Sequence, residues 1–410
     1  MTANHTRIPR PVDIATFRAL LMPDGQVTLA EAAGLLDDGA TTLAALTRLR
    51  LRHDPAIAAA AYEQATLRRK AVASGKFARA EEMYFTRDAL EQATGETIAR
   101  HRARRYAPFG VVADLACGIG GDALALAVTH HVVAIDRDPL RLAILRENAR
   151  ANGLAARIAP ILADLAQSPI PRVEALFCDP GRRTADGRRV FTVEAYQPPL
   201  GLIRSWRAAV PALGVKVSPG IAREEFPATE EAEIEFISQG GALKEAVLWF
   251  GPLRGTARRA TLLPGGATLA GDDEPVSPVP NGMPGAILYE PDPAIIRARL
   301  VEPLAHLLGA TKLDPDIAYL TATSAQPTPF ARAYRIEEAL PFSLKRLRSR
   351  LRALDAGIVT VKKRGSPLDT DALARQLRGP GPRPLTVVLT HVLGRPYALI
   401  CTTLGGGREA

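Results

Sequence analysis

The stretch VVADLACGIGGDALALAVTH, Val111 to His130, decides the fold. An apolar, strand-like run meets Gly118, Gly120 and Gly121, and a helix-like run begins at once. Glycines there let the backbone turn sharply and approach a ligand where a side chain would clash. A second strand candidate, HVVAID, ends in Asp136, eighteen residues after Gly118. A carboxylate so placed can hold both hydroxyls of a ribose. A third candidate, ARIAPIL, is followed by Asp164, which can accept a bond from an adenine amino group. The pattern is that of a nucleoside site on a parallel sheet.

Two ligands compete for it. Gly118, Gly120 and Ala123 fit the G-x-G-x-x-G/A dinucleotide pattern, with Asp136 near the expected spacing. Three features favour S-adenosylmethionine over NAD. Asp114, four residues before Gly118, suits the ammonium group of a methionine moiety. The loop opens only at residue 114, behind a long helical extension, and Ala116 and Cys117 join its lining. The third feature is the end of the fourth strand.

That strand, VEALFCD, runs into Asp179-Pro180-Gly181-Arg182-Arg183. Ligands of open α/β sheets sit at the carboxyl ends of strands. In class I methyltransferases a D/N-P-P-aromatic tetrapeptide here marks enzymes that methylate exocyclic amino groups. Such an amine is a poor nucleophile because its lone pair is delocalised into the ring. A carboxylate and a backbone carbonyl that accept its two N–H bonds localise that pair and aim it. Asp179 and the Pro180 carbonyl match the pattern, whereas Gly181 and Arg182 depart from it. The stacking aromatic must then come from elsewhere. Phe191, Tyr84 and Phe85 are candidates, each of a type more often found in a core. Arg182 and Arg183 either hold a phosphate or open an exposed loop.

Outward from this centre, LGVKVS supplies a fifth strand, and PLRLAILRENARANG and EAYQPPLGLIRSWRAAV supply helices. EIEFISQ, Gly240-Gly241 and KEAVLWFG read as a hairpin. Residues 12–105 are rich in Ala and Leu and read as helical. PGGATLAGDDEPVSPVPNGMPG, residues 264–285, reads as a linker, and beyond it lie GAILYE and one helix, IIRARLVEPLAHLLG.

At 410 residues the chain exceeds one ordinary core and favours two or three domains. Apolar residues at 47% and charged ones at 23% exclude wholesale disorder. No apolar run is long enough to span a bilayer, and the N-terminus lacks the apolar region of a signal peptide, so a soluble, cytoplasmic chain is expected. Cys117, Cys178 and Cys401 show no C-x-x-C spacing, and His130-His131 lack a third ligand at metal spacing, so no metal is expected. Cys117 and Cys178 would end neighbouring strands, as a redox pair or as small buried residues.

The net charge is +9, and residues 325–410 carry 15 Lys and Arg against 6 Asp and Glu, so the rest of the chain balances. Only 8 of the 52 basic residues are lysine. Arginine pairs with phosphate bidentately and stacks on bases, so a basic end on a neutral body suits nucleic acid. FSLKRLRSRLRAL places Leu344, Leu347, Leu351 and Leu354 on one helical face, with Lys345, Arg346, Arg348, Arg350 and Arg352 around the rest. The strand GIVTVKKRG ends in Lys362-Lys363-Arg364. RNA contact by Lys345, Arg346, Arg348, Lys362, Lys363 and Arg364 is expected; a membrane-surface helix or a solvated face are the alternatives.

MYFTRDALEQATGETIARHRA followed by ACGIGGD resembles the cap-type, trimethylguanosine synthase-like guanine-N2 methyltransferases, with Asp122 in place of their asparagine. The chain from about Phe77 to Leu404 resembles bacterial class I methyltransferases with a C-terminal THUMP-like domain. FTRDALEQAT, DLACGIGGD, CDPGRR, VKVSPG, KEAVLWFGPL, ARAYRIEEALPFSLKRLR and VTVKKRG carry that likeness. The resemblance implies an α/β fold: a Rossmann-like sheet of parallel strands closed by an antiparallel hairpin, an N-terminal helical region and a small α+β THUMP-like domain. The expected divisions are a helical region at 1–107, a methyltransferase domain at 108–263, the linker at 264–285, a small ferredoxin-like α+β segment at 286–329 and the THUMP-like domain at 330–410. It implies methylation by S-adenosylmethionine of an exocyclic amino group in RNA, tRNA or rRNA, guanine N2 being favoured. A small-molecule or protein methyltransferase, or a non-catalytic RNA-binding protein of the same fold, are the alternatives.

Overall fold

The computed structural model describes residues 12–182, 190, 192–222, 225, 231–272, 277–365 and 367–404. The chain divides into two compact units, Met1–Glu225 with Trp249–Leu253, and Phe226–Leu248 with Arg254–Ala410.

The first unit opens with helices α1 (Ile14–Leu20), α2 (Pro23–Asp37), α3 (Thr42–Arg50), α4 (Pro55–Ser74), α5 (Arg87–Gln92) and α6 (Glu96–Ala103). The longest, α4, starts where the sequence says it should. Asp54 caps the N–H groups of Ala56 and Ile57, Pro55 occupies the first turn, and Gly75 ends the helix at φ 62°. Next come β1 (Val111–Leu115), α7 (Gly121–Ala127), β2 (His131–Asp136), α8 (Pro139–Ala151), β3 (Ile158–Leu162), β4 (Ala175–Cys178), α9 (Leu200–Ser205) and β5 (Leu213–Val217). All five strands match those read from the sequence. They pair in parallel in the order β3-β2-β1-β4-β5. The order reverses between β1 and β4, and such a switch point opens a crevice at the carboxyl ends. The sheet therefore brings Asp114–Gly121 and Asp179–Gly181 to one edge. The long helix expected over EAYQPPLGLIRSWRAAV is only α9, because Pro198 and Pro199 cannot sit inside a helix.

The second unit begins with β6 (Ala232–Gln239) and β7 (Ala242–Phe250), whose last residues return to the first unit. Gly240 and Gly241 turn between them at φ 60° and 81°, the two positive values a tight hairpin requires. Then come β8 (Arg258–Leu263), parallel to β6, and β9 (Ala267–Gly271), antiparallel to β8. Strand β9 lies inside the stretch read as a linker; Gly265-Gly266 form a hairpin turn rather than a tether. The remaining elements are β10 (Ile287–Pro291), α10 (Pro293–Arg297), α11 (Val301–Leu308), β11 (Thr311–Asp314), β12 (Ile317–Ala322), β13 (Ala331–Pro341), α12 (Leu344–Ala353), β14 (Ala356–Lys363), α13 (Thr370–Leu377), β15 (Arg383–Val392) and β16 (Arg395–Thr403). Their strands form one sheet, β11-β12-β10-β13-β16-β15-β14, so residues from 286–329 and from 330–404 share it. The single helix read at 295–309 is two, broken at Arg299 with φ 58°. Pro303 is the cause: its ring would clash with the carbonyl four residues back. Leu347 and Leu351 of α12 are buried against β14, β15 and β16, with Leu344 and Leu354 packed beside them. The leucine stripe is thus a core face.

Candidate active site

The loop after β1 winds through three left-handed residues, Ala116 (φ 61°), Gly118 (57°) and Gly120 (96°). The N–H of Cys117 donates to Ile135 O at 3.0 Å and that of Gly118 to Asp136 Oδ2 at 2.8 Å. Asp136 Oδ1 accepts the N–H of Asp138 at 2.9 Å, which sets the entry to α8. The glycines do different work. A Cβ on Gly120 would run into Leu145 Cδ1, and one on Gly121 would stand 3.1 Å from Thr94 O, whereas one on Gly118 would meet nothing within 4 Å. Gly118 faces open space. Asp164 is exposed past the end of β3 and accepts the N–H of Ala166 at 3.0 Å.

Asp114 is 1% exposed, and among the described residues neither of its carboxylate oxygens has a hydrogen-bond partner. Burial pushes its carboxyl well above the usual range, reinforced by the negative charges of Asp122 and Asp179. A buried, unsatisfied carboxylate is costly unless something cationic completes it. Its neighbour Asp122 is completed. Arg102 of α6 forms a buried ion pair with it and lays its guanidinium 4.5 Å from the centre of the Phe177 ring. Asp122 stands where the resembled cap enzymes carry asparagine, and Arg102 is the partner that admits the charge.

At the end of β4, Gly181 exchanges two backbone hydrogen bonds with Gln197, at 2.8 and 2.9 Å, which pins the Asp179-Pro180-Gly181 loop. Asp179 Oδ2 accepts from Lys216 Nζ at 2.6 Å, and the same ammonium donates to Thr94 Oγ1 at 2.9 Å. Lys216 lies on β5 and is 5% exposed. In the sequence it stands within LGVKVS and VKVSPG with no local motif to mark it as a site residue. The available signal is its setting: one lysine in an otherwise apolar central strand must find a counter-charge. Arg182 is half-buried, and its carbonyl accepts the N–H of Val190 at 3.0 Å. Arg183 and Phe191 lie outside the described residues. Tyr84 and Phe85 are core residues. Tyr84 packs edge-on to Phe17 at 5.4 Å under the Arg68 guanidinium, and Phe85 lies against Phe77 at 5.8 Å. The paired hydrogen bonds of Gln64 and Asn148 to their backbone hold them there. Tyr196, also buried, accepts the N–H of Ser218 at 3.2 Å.

All three cysteines are free and buried. Register sets Leu115 beside Cys178, and burial pushes the thiols of Cys117 and Cys178 well up, so both are neutral small side chains. Among the described residues no group of three His, Cys, Asp or Glu gathers to hold a metal, and no helix is long and apolar enough to cross a membrane.

In the second unit the basic residues separate into two kinds. Lys345 and Arg346 are exposed on α12, while Arg348 donates to Gln376 Oε1 at 3.0 Å. The cluster at the end of β14 is engaged within the unit. Lys362 Nζ is 2.5 Å from Glu290 Oε2, Lys363 donates to Leu368 O at 2.7 Å, and Arg364 lies 5.0 Å over the Tyr319 ring.

An S-adenosylmethionine-dependent methyltransferase of Mycobacterium tuberculosis, itself uncharacterized, is 41% identical over 330 residues, covering 77% of this chain and 88% of that protein. The chain belongs to the S-adenosylmethionine-dependent methyltransferases. Residues 109–204 of the methyltransferase match the RNA cap guanine-N2 methyltransferase family, 331–403 match the THUMP domain-like family, and 13–71 match a domain of unknown function. An uncharacterized RNA methyltransferase of Parasynechococcus marenigrum is 36% identical over 95 residues, 22% of this chain and 20% of that one. The crystal structure of a methyltransferase-like protein from Porphyromonas gingivalis W83 superposes with a TM-score of 0.74 at 19% identity, covering 92% of this chain and 98% of that one. That likeness shows the fold. The methyltransferase uses S-adenosylmethionine, and its own residues fit that cofactor. Asp114 is a buried carboxyl whose two oxygens find no hydrogen-bond partner among the described residues, a place a cationic group can complete, and Gly118 leaves open space beside the loop.

Proposed function

We propose that this methyltransferase acts on an exocyclic amino group of a base in RNA, a tRNA or rRNA, with guanine N2 the favoured acceptor. The observation that carries the reading is the switch point: Asp179 and Pro180 follow β4 directly beside the loop that follows β1. When bound, S-adenosylmethionine supplies an electrophilic methyl group on a sulfonium. Asp114 would hold its ammonium group, Asp136 its ribose hydroxyls and Asp164 its adenine amino group. Ala116, Cys117, Gly118, Gly120 and Gly121 would shape the floor. The Asp179 carboxylate and the Pro180 carbonyl would accept the two N–H bonds of the acceptor amine, localising its lone pair; this is catalysis by position. Support for RNA comes from the family matched over 109–204, from the name of the Parasynechococcus marenigrum relative and from the exposed Lys345 and Arg346. Arg182 and the tail residues Lys345, Arg346 and Arg348 would meet phosphates.

A protein or small-molecule acceptor is the second reading. It draws on Gly181 and Arg182, which stand where base-methylating relatives of this motif carry proline and an aromatic ring. Mass spectrometry of nucleosides from a deletion strain tests the first. One methylated guanosine should disappear, return with the wild-type gene and stay absent with Asp179→Ala, whose S-adenosylhomocysteine binding persists. An unchanged nucleoside profile on deletion would overturn the RNA reading.

A further inference from the structure

Strands β4 and β5 run parallel with Leu176 beside Leu213, Phe177 beside Gly214 and Cys178 beside Val215. The next step brings Asp179 beside Lys216. Every residue of β5 is buried, and Lys216 is its one charged residue. An ammonium in such a place must be paired on more than one side, because desolvation outweighs a single contact. Its bonds include those to Asp179 Oδ2 and Thr94 Oγ1. Thr94 also carries the backbone that a Cβ on Gly121 would touch, so it packs against the start of α7. One side chain thus joins the acceptor-side carboxylate to the segment seated on the cofactor-side loop.

We infer that Lys216 is the positioning residue of the transfer centre. It anchors Oδ2 of Asp179 from the buried side, so the carboxylate meets the acceptor amine in one orientation fixed relative to the loop after β1. This rests on the assignment of Asp179 to the acceptor amine, whether that amine belongs to RNA or not. An aspartate free to rotate offers either oxygen and several approaches; one held at 2.6 Å by a buried ammonium offers one. The side chain of Asp179 keeps 25% exposure against 6% for Lys216, so the carboxylate is the member of the pair that a substrate can reach.

The test uses the full chain carrying Lys216→Met, Asp179→Asn, both together, or Thr94→Val. Single-turnover transfer from methyl-labelled S-adenosylmethionine is measured on total RNA from a deletion strain, with that strain's protein extract as a second acceptor. Calorimetry with S-adenosylhomocysteine reads the cofactor side without transfer. Lys216→Met should slow transfer about 100-fold at saturating acceptor, since small misplacement has that effect. Its affinity for S-adenosylhomocysteine should stay within about threefold of wild type. Added to Asp179→Asn, it should slow transfer no further, and the double variant should melt above Asp179→Asn, having lost a buried ammonium without its counter-ion. Wild-type transfer by Lys216→Met, or losses that multiply in the double variant, would overturn the inference. Lost S-adenosylhomocysteine binding would overturn it too, in favour of a scaffold role. Where Lys216→Met does not fold, the isosteric Thr94→Val decides. Slower transfer at unchanged S-adenosylhomocysteine affinity supports the tether, and wild-type transfer refutes it. Methylation of protein extract but not RNA would remove the RNA reading and leave this one standing; full transfer by Asp179→Asn would remove its premise.

Discussion

The backbone N–H of Gly118 reaches across to Oδ2 of Asp136 at 2.8 Å, latching the ends of β1 and β2 together through one carboxylate. The same side chain holds the N–H of Asp138 on its other oxygen. Each carboxylate oxygen retains a second lone pair, so the latch and a pair of ribose hydroxyls can share it.

Asp136→Ala should therefore fail twice. It leaves two N–H groups without their acceptor, at about 1–3 kcal/mol each where they are buried. It also removes the ribose contact. Calorimetry should show S-adenosylhomocysteine affinity down by about 30-fold or more, with a lower melting temperature. Unchanged affinity would remove Asp136 from the cofactor site.

Asp114 makes the opposite forecast. Burial raises its folded-state pKa above the unfolded value, so the folded chain holds a proton that the unfolded chain has released. Its contribution to stability is complete below the ordinary carboxylate range and is lost as pH rises through the raised value. Asp114→Asn should be more stable than wild type at neutral pH without cofactor, lose that part of the pH dependence, and bind S-adenosylmethionine more weakly. Denaturant titrations between about pH 4 and 8 read the first two effects. A wild-type slope in the variant would show that Asp114 is compensated in solution.

Arg102 and Asp122 are both buried, so removing one strands the other. Arg102→Met should cost about 3–5 kcal/mol in urea unfolding. Combining it with Asp122→Asn should recover much of that loss. Equal stability of the single and double variants would show that the pair is not the reason for the loss.

The basic tail should respond residue by residue. Replacing Lys345 and Arg346 with alanine should weaken RNA binding, lower the salt slope by about two and leave the melting temperature unchanged. Replacing Lys362 and Arg364 should lower the melting temperature, because each has a partner inside the unit. If the salt slope falls only with the second pair, the contact surface lies at the end of β14.

Much of this was legible in the chain. The five parallel strands follow from short apolar runs alternating with helix-length segments, and the hairpin follows from Gly240-Gly241 between two such runs. These signals are local, set by periodicity and by backbone angles that one or two residues impose. Pro303 and Pro198-Pro199 carried equally local information about where helices break. The leucines of α12 named their buried face for the same reason.

What periodicity could not supply was partnership. That Asp122 is paired with Arg102, that Lys216 grips Asp179, and that Asp114 finds no hydrogen-bond partner among the described residues are facts about side chains brought together from distant positions. Sequence located the carboxylates at strand ends. Only the packed sheet, through its register and its low dielectric, decided which of them are paired and which are buried without a partner among the described residues.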